Sequence, residues 1–460
     1  MSQAVTGPAT VRENARRIRT RASTTPGRLW TLSLLLVAGC VLLWLAGSST
    51  VVTAQSKVES IGHRSGPAVI DAQKIHGALA DADRSAANAF LSGNVENPEP
   101  RQRYERDIAV ATHDLEQAAE HNTAGSQASL NLQAVIAGVA EYTGLVETAR
   151  ANNRQGFPVG AAYLRAASRL MHRPADGILA RVDALAGINS ANASAEYSSL
   201  GFVGALLAVF FLFGALLFAL LLSTQAFLRR RFRRRRNTRL LMATVLLVLL
   251  SAGMAAQAVY SYRNLQLAEQ EAFPRLHDLW QARALAADAN GNESLSLIAR
   301  GNGAGFDQAF KEETAKLVDR PLNDQLVEDA SRGNVRFKGL LADEINQAAF
   351  PGERDAALRA LRAYQRFLDV DAAVRARAAG DHEGAVALAL GTGPGALGAA
   401  FGDLDAALAE AIGVDQRQFD EAIQRAEPSL ALNLGVPLGA LAIALLALWG
   451  LQPRIAEYGG

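Results

Sequence analysis

Two uncharged apolar runs, 200–222 and 240–259, stand on either side of a segment that reads Arg229-Arg230-Arg231-Phe232-Arg233-Arg234-Arg235-Arg236. Each run has the roughly 20 residues that a helix needs to cross a hydrocarbon core. With Arg239 included, eight arginines separate the two runs. Arginine-rich loops are retained on the cytoplasmic side, so the pair predicts a hairpin that dips into the cytoplasm. Two further apolar runs, 29–46 and 432–451, bring the candidate spans to four. The chain therefore reads as a multi-pass protein of the cell membrane with both termini cytoplasmic. Its expected division is a basic tail (1–28), span 1 (29–46), an outer domain (47–199), span 2 (200–222), an Arg-rich loop (223–239), span 3 (240–259), a second outer domain (260–431), span 4 (432–451) and a tail (452–460).

The net charge of +1 hides a segregation. The three cytoplasmic pieces hold fifteen arginines and two glutamates, which leaves thirty-one basic and forty-three acidic residues outside. An acidic exterior disfavours nucleic acid and other polyanions and favours basic or metal-bearing partners. The single cysteine, Cys40, rules out an intrachain disulfide, so the outer domains must be held by apolar packing. Val37-Ala38-Gly39-Cys40 fits a bacterial lipobox. The apolar run continues through Val41-Leu42-Leu43-Trp44-Leu45-Ala46, however, where a mature lipoprotein would turn polar, so Cys40 is read as an ordinary span residue.

Both outer domains carry helical periodicity. In the first, Leu132, Val135, Val139, Tyr142 and Val146 form a seam at alternating three- and four-residue spacing, and Ile178, Val182 and Leu185 continue in the same style. Turn-forming residues at 94–100, 122–126 and 156–158 cut this domain into four predicted helices. The first is expected to run on from span 1 and the last into span 2. In the second domain the seam recurs as Ala357, Leu361, Tyr364 and Leu368, and Ala284-Leu285-Ala286-Ala287-Asp288 echoes Ala78-Leu79-Ala80-Asp81-Ala82. The order and spacing imply an internal duplication. The second copy departs from the first at 320–350, which is longer and more polar, and at a glycine-rich insertion, 391–398. Its last helix is legible in Leu397, Phe401, Leu404 and Leu408. The expected fold class is all-α, with four transmembrane helices carrying two duplicated extracytoplasmic four-helix bundles of near-antiparallel packing.

Little in the chain carries chemistry. Gly393-Pro394-Gly395-Ala396-Leu397-Gly398 has the glycine pattern of a dinucleotide fold but lacks the βαβ frame that gives the pattern meaning, so it reads as a turn before a helix. His113 and His121, with Glu116 and Glu120, lie about two turns apart, too far to share a metal unaided, and read as a solvated face. No nucleophile–base spacing is present, so no catalytic residue, cofactor or metal is expected and the protein is read as a non-enzyme. The spans hold only mild polar groups (Ser251, Gln257, Asn433), which counts against a carrier or channel.

Asp81, Asp83 and Asp288 fall at matching places in the first helices of the two domains. With Tyr142 and Tyr364 they form the candidate ligand or partner seam, the plain alternative being solvated helix positions. Arg229, Arg230, Arg231, Arg233, Arg234, Arg235 and Arg236 anchor topology and touch anionic head groups at about 1 kcal/mol per charge. They are also the candidate cytoplasmic docking segment. Ser23, Thr24 and Thr25, beside Arg19 and Arg21, are candidate phosphorylation sites for a basophilic kinase.

A membrane helix, an outer helical bundle with long terminal helices and a second membrane helix resemble the ligand-sensing half of chemoreceptors. The duplicated plan with its basic hairpin is similar to the four-helix-spanning GlnX-type membrane protein of actinobacteria. That resemblance rests on architecture and supplies no site residues. It implies a signal transducer that relays an extracytoplasmic nutrient signal, amino acid sensed through a solute-binding lipoprotein, to a cytoplasmic Ser/Thr kinase or adaptor. A homo-oligomer is compatible with this plan. The alternative is a structural or assembly scaffold of the cell envelope that senses no ligand.

Overall fold

The computed structural model describes residues 25–92, 98–155, 159–232, 237–300 and 302–456, and among them the regular structure is helical throughout, with no strand. The chain divides into two compact units.

One unit comprises Met1–Glu59, Tyr197–Asn264 and Arg425–Gly460. It is built on α1 (Thr25–Ser60), α7 (Leu200–Phe232), α8 (Thr238–Leu267) and α16 (Leu430–Ala456). All four supply apolar windows long enough to span a membrane. Leu36, Leu43, Phe210, Leu217, Leu247 and Ile443 close its core. Close approach is bought with glycine: a Cβ at Gly47 would meet Val436 at 2.6 Å and Phe210 at 3.0 Å, while one at Gly39 would touch Leu217 at 3.1 Å. Trp30, Leu34, Phe202, Leu212 and Leu441 face outward, as lipid-facing side chains do. The few polar groups are matched, with Gln225 donating to Thr244 Oγ1 (2.8 Å) and Asn237 to the Gly450 carbonyl (2.8 Å). Cys40 is buried within α1, whose helix runs unbroken through it.

The other unit comprises Ser60–Glu196 and Leu265–Gln424 and contains the two halves that the sequence divides between spans 1 and 2 and between spans 3 and 4. The first half is α2 (Gly66–Leu91), α3 (Pro98–His121), α4 (Gln127–Arg154), α5 (Val159–His172) and α6 (Ile178–Ser198). The expected break at 122–126 falls between α3 and α4, that at 156–158 lies outside the described residues, and of the one at 94–100 the described part, 98–100, is already the start of α3. A fourth break at 173–177 divides the last predicted helix into α5 and α6. Pro174 cannot continue the hydrogen-bond ladder. At Gly177 a Cβ would come within 2.8 Å of the Arg173 N–H and carbonyl and of the Met171 carbonyl. The seam residues Leu132, Val135, Val139, Tyr142 and Val146 are all buried, together with Ile178, Val182 and Leu185.

The second half is α9 (Phe273–Ala299), α10 (Ala304–Leu317), α11 (Asp324–Ser331), α12 (Leu340–Gln347), α13 (Glu353–Ala378), α14 (His382–Leu390) and α15 (Leu397–Ala426). Where the first half has one long second helix, the second has three short ones, which accounts for the polar 320–350 stretch. Ala357, Leu361 and Tyr364 are buried as expected, but Phe367 rather than Leu368 completes the seam. Leu397, Phe401, Leu404 and Leu408 are buried. The 391–396 glycine segment is the turn that leads into α15.

A five-residue π-turn precedes each of α2 and α9, at Ile61–Ser65 and Ala268–Ala272. The Gly66 N–H reaches back to Ile61 O, and the Phe273 N–H to Ala268 O. Each is followed at once by a proline, Pro67 or Pro274. A mid-helix proline lacks an N–H and crowds the carbonyl one turn back, and a widened turn relieves that crowding. With these turns included, helix runs continuously over Gly27–Leu91 and Thr238–Ala299.

Candidate functional site

The two halves meet where α2 packs on α9. Small residues permit the approach: Ala80, Ala87, Ala284, Ala287 and Gly291 are buried, and a Cβ on Gly291 would lie 3.5 Å from Arg84 Cα. Asn88 Oδ1 accepts from Ser294 Oγ across this contact, and the Arg84 guanidinium lies 4.4 Å over the Phe401 ring.

Beside this contact opens a cleft of about 830 Å³ lined by α2, the turn after α5, α6, α9 and α10. Its polar wall comprises His76, His172, Asp183, Asp288, Glu313 and Lys316. Asp83 stands behind it as a buried hub, 4% exposed. Asp83 Oδ1 accepts from Tyr142 Oη (3.0 Å), and Oδ2 accepts from Ser168 Oγ (2.9 Å) and His172 Nε2 (3.2 Å). His76 Nδ1 donates to Asp183 Oδ1 at 2.7 Å. Glu313 accepts two hydrogen bonds from Asn292 Nδ2 at 2.9 Å. Asp288 Oδ1 is buried without a hydrogen-bond partner.

The electrostatics follow from this arrangement. Burial works to lower His172, but Asp288, then the hydrogen bond and charge of Asp83, then Glu313 outweigh it and push the ring up to about 9. Burial likewise opposes the charge on His76, and Asp183 overrides it, so His76 titrates above its usual value. Asp288 is raised by burial, against the pull of His172 and His76. Burial and then Asp288 lift Glu313 to about 8. At neutral pH the wall thus sets the His172 imidazolium beside a Glu313 carboxyl that holds its proton, and Lys316 is exposed among the lining residues. Such a surface can pair with both ends of a zwitterion.

Of the seam residues expected from sequence, Asp83 and Tyr142 are hydrogen-bonded to each other and Asp288 lines the cleft. Asp81 belongs to a different cluster. It pairs with Arg84 at 3.1 Å, and its charge, after burial, helps lift Asp107 to about 6. Tyr364 is buried in the second half and donates to the Thr314 carbonyl at 2.9 Å. His113 is exposed, as are Glu116 and Glu120, but His121 corrects the solvated-face reading: its Nδ1 bonds the buried Asp71 at 2.6 Å. Arg229 and Arg230 are exposed at the end of α7, which also includes Arg231. Arg233, Arg234, Arg235 and Arg236 lie outside the described residues, as do Ser23, Thr24 and the side chains of Arg231 and Thr25. Sequence reasoning missed His76, His172, Asp183, Glu313 and Lys316. They come from four helices and share no spacing, and the proline turn at 173–177 was the only local sign that the chain folds back there.

Residues 57–198 match the family model of an actinobacterial sensor domain. Searches of curated proteins and of solved structures return no match. The matched stretch takes in α2 to α6, hence Asp83, His76, His172 and Asp183. The match supports a sensing or signal-transducing role for this multi-pass membrane protein.

Proposed function

Taking residues 57–198 as a sensor domain, we propose that the protein is a membrane signal transducer whose receptive site is the cleft between the two outer halves. One observation carries the reading. Half of the cleft wall comes from the matched segment (His76, His172, Asp183), and the other half (Asp288, Glu313, Lys316) comes from beyond it. A ligand seated there bears on how the halves pack. The chemistry suits an amino-acid zwitterion, free or presented by a solute-binding lipoprotein. Asp288 and Glu313 would face the ammonium group, and Arg173 and Lys316 the carboxylate. The paired π-turns with Pro67 and Pro274 favour an internal duplication in which each half keeps one long helix for this contact.

Both termini and the 223–239 loop are cytoplasmic in this reading, as the arginine distribution requires. A ligand that favours one packing of α2 on α9 shifts helices that are continuous with spans 1 and 3 by a small slide or rotation. Coupling of this kind amounts to about 1–3 kcal/mol. The basic loop would present the change to a cytoplasmic Ser/Thr kinase or adaptor.

The test uses the full chain in nanodiscs, titrated with amino acids alone and with the lipoprotein recovered by crosslinking in cells. Binding by the wild type that falls at least tenfold in Asp288→Asn supports the reading, and wild-type affinity in that variant overturns it. In cells, replacing Arg233, Arg234, Arg235 and Arg236 with Ala should leave insertion intact and abolish the nutrient response. Membrane-impermeant labelling of Ser190→Cys and Asp381→Cys in a Cys40→Ser background should succeed from outside, and protection of both from the reagent would sink the topology.

A further inference from the structure

Sharing none of the cleft's lining residues, three carboxylates converge from three helices of the second half. Glu344 comes from α12, Glu353 from the first turn of α13 and Asp415 from α15. One oxygen of each lies within 4.8 Å of the others. All three side chains are buried, with Glu344 3% and Asp415 1% exposed. Glu353 is fully engaged. Its Oε2 accepts from the Ala349 and Phe350 N–H groups (2.7 and 2.8 Å), and its Oε1 accepts from Arg275 Nη1 (2.8 Å). Glu344 and Asp415 receive no donor: both oxygens of each are buried without one, and Asp415 stands against the carboxyl of Glu353. Four orphaned carboxylate oxygens aimed at one point contrast with the rule that buried charges are paired or coordinate a metal.

We propose that Glu344, Glu353 and Asp415 form a binding site for a hard divalent cation of calcium size. The charge balance fits. Three carboxylates less the Arg275 guanidinium leave a charge of −2, which one divalent ion neutralises. The ligand set is oxygen only, which selects hard cations over zinc or copper. Calcium bonds oxygen at about 2.3–2.6 Å, so ligands on opposite sides of its shell stand about 5 Å apart, and three oxygens within 4.8 Å of one another can share it. The ion would tie α12, α13 and α15 together beside Arg275 on α9.

The test is thermal unfolding of the full chain in detergent, in 5 mM calcium chloride against EDTA, with isothermal titration of calcium. The expected result is a midpoint at least about 3 °C higher in calcium, with one ion bound per chain. Glu344→Gln and Asp415→Asn remove buried charge, so each should unfold no lower than wild type in EDTA and lose the calcium response. Glu410→Gln, an exposed control, should keep it. A wild-type midpoint unchanged by calcium, or Gln and Asn variants that respond like wild type, overturns the proposal and leaves a proton-sharing carboxyl cluster.

Discussion

Asp83→Asn tests the hub behind the cleft, because it keeps the shape of the side chain and removes its charge. Asp83 is buried and takes three hydrogen bonds, from Tyr142, Ser168 and His172. An asparagine can still accept from Tyr142 through its oxygen, and its NH₂ group can turn to Ser168 Oγ. It then points a donor at His172, which below its folded pKa is itself a donor. The variant thus loses one charge-assisted hydrogen bond, worth about 1.5–3 kcal/mol, and sets two donors face to face.

The pH dependence gives the sharper test. The folded-state pKa of His172, about 9, lies above its unfolded value of 6.5, so its contribution is fully present below 6.5 and is lost as pH rises through 9. The ring is one-third exposed. Discounted for screening, that contribution is about 1–2 kcal/mol. Glu313, raised to about 8, adds a slope of the same sign. In Asp83→Asn, Asp288 and Glu313 still support His172 but Asp83 does not, so the slope between pH 6.5 and 9 should flatten. The loss relative to wild type should be about 2–3 kcal/mol at pH 6 and shrink towards 1 at pH 10. Guanidinium unfolding followed by tryptophan fluorescence measures it, since Trp280 is the only tryptophan among residues 60–196 and 265–424. Tyr142→Phe is the control, costing about 1 kcal/mol with no change of slope. Equal stability of Asp83→Asn and wild type at pH 6, or parallel pH profiles, would refute the reasoning.

Arg375 stands among Glu293, Asp307 and Asp371, and Glu293 and Asp371 are buried. Arg375→Ala should cost about 3–5 kcal/mol at pH 8, and less at pH 5, because Glu293, already lifted to about 8 by burial and then by Asp371, can take up a proton. Urea unfolding at the two pH values checks this. Gly291→Ala should be tolerated, since a Cβ there meets Arg84 at ordinary contact distance, whereas Gly291→Leu should cost about 1–3 kcal/mol by prising α2 from α9. Thermal midpoints of the two variants should differ accordingly.

The local half of this structure could be read directly. Apolar runs of span length, arginine blocks, the Leu132–Tyr142–Val146 periodicity and turn residues each act over at most a few tens of positions, so the all-α class, the four spans and most helix ends follow from the chain order alone. The break at 173–177 does not stand out in the sequence, because the apolar spacing of Ile178, Val182 and Leu185 resumes directly after it and a single proline, Pro174, marks it. The polar sites were a different matter. His172 and Asp83 are 89 residues apart and Asp288 lies farther on again, and nothing in their spacing announces that α2 packs on α9. Glu344, Glu353 and Asp415 look like ordinary surface acids in an Ala-rich chain. The pattern of a helix fixes which face is buried, but the partner of that face is chosen by complementarity between surfaces far apart in sequence, here by small residues such as Gly291 that admit a neighbouring backbone. That choice of partner, made only in the tertiary structure, turned scattered histidines and carboxylates into clusters.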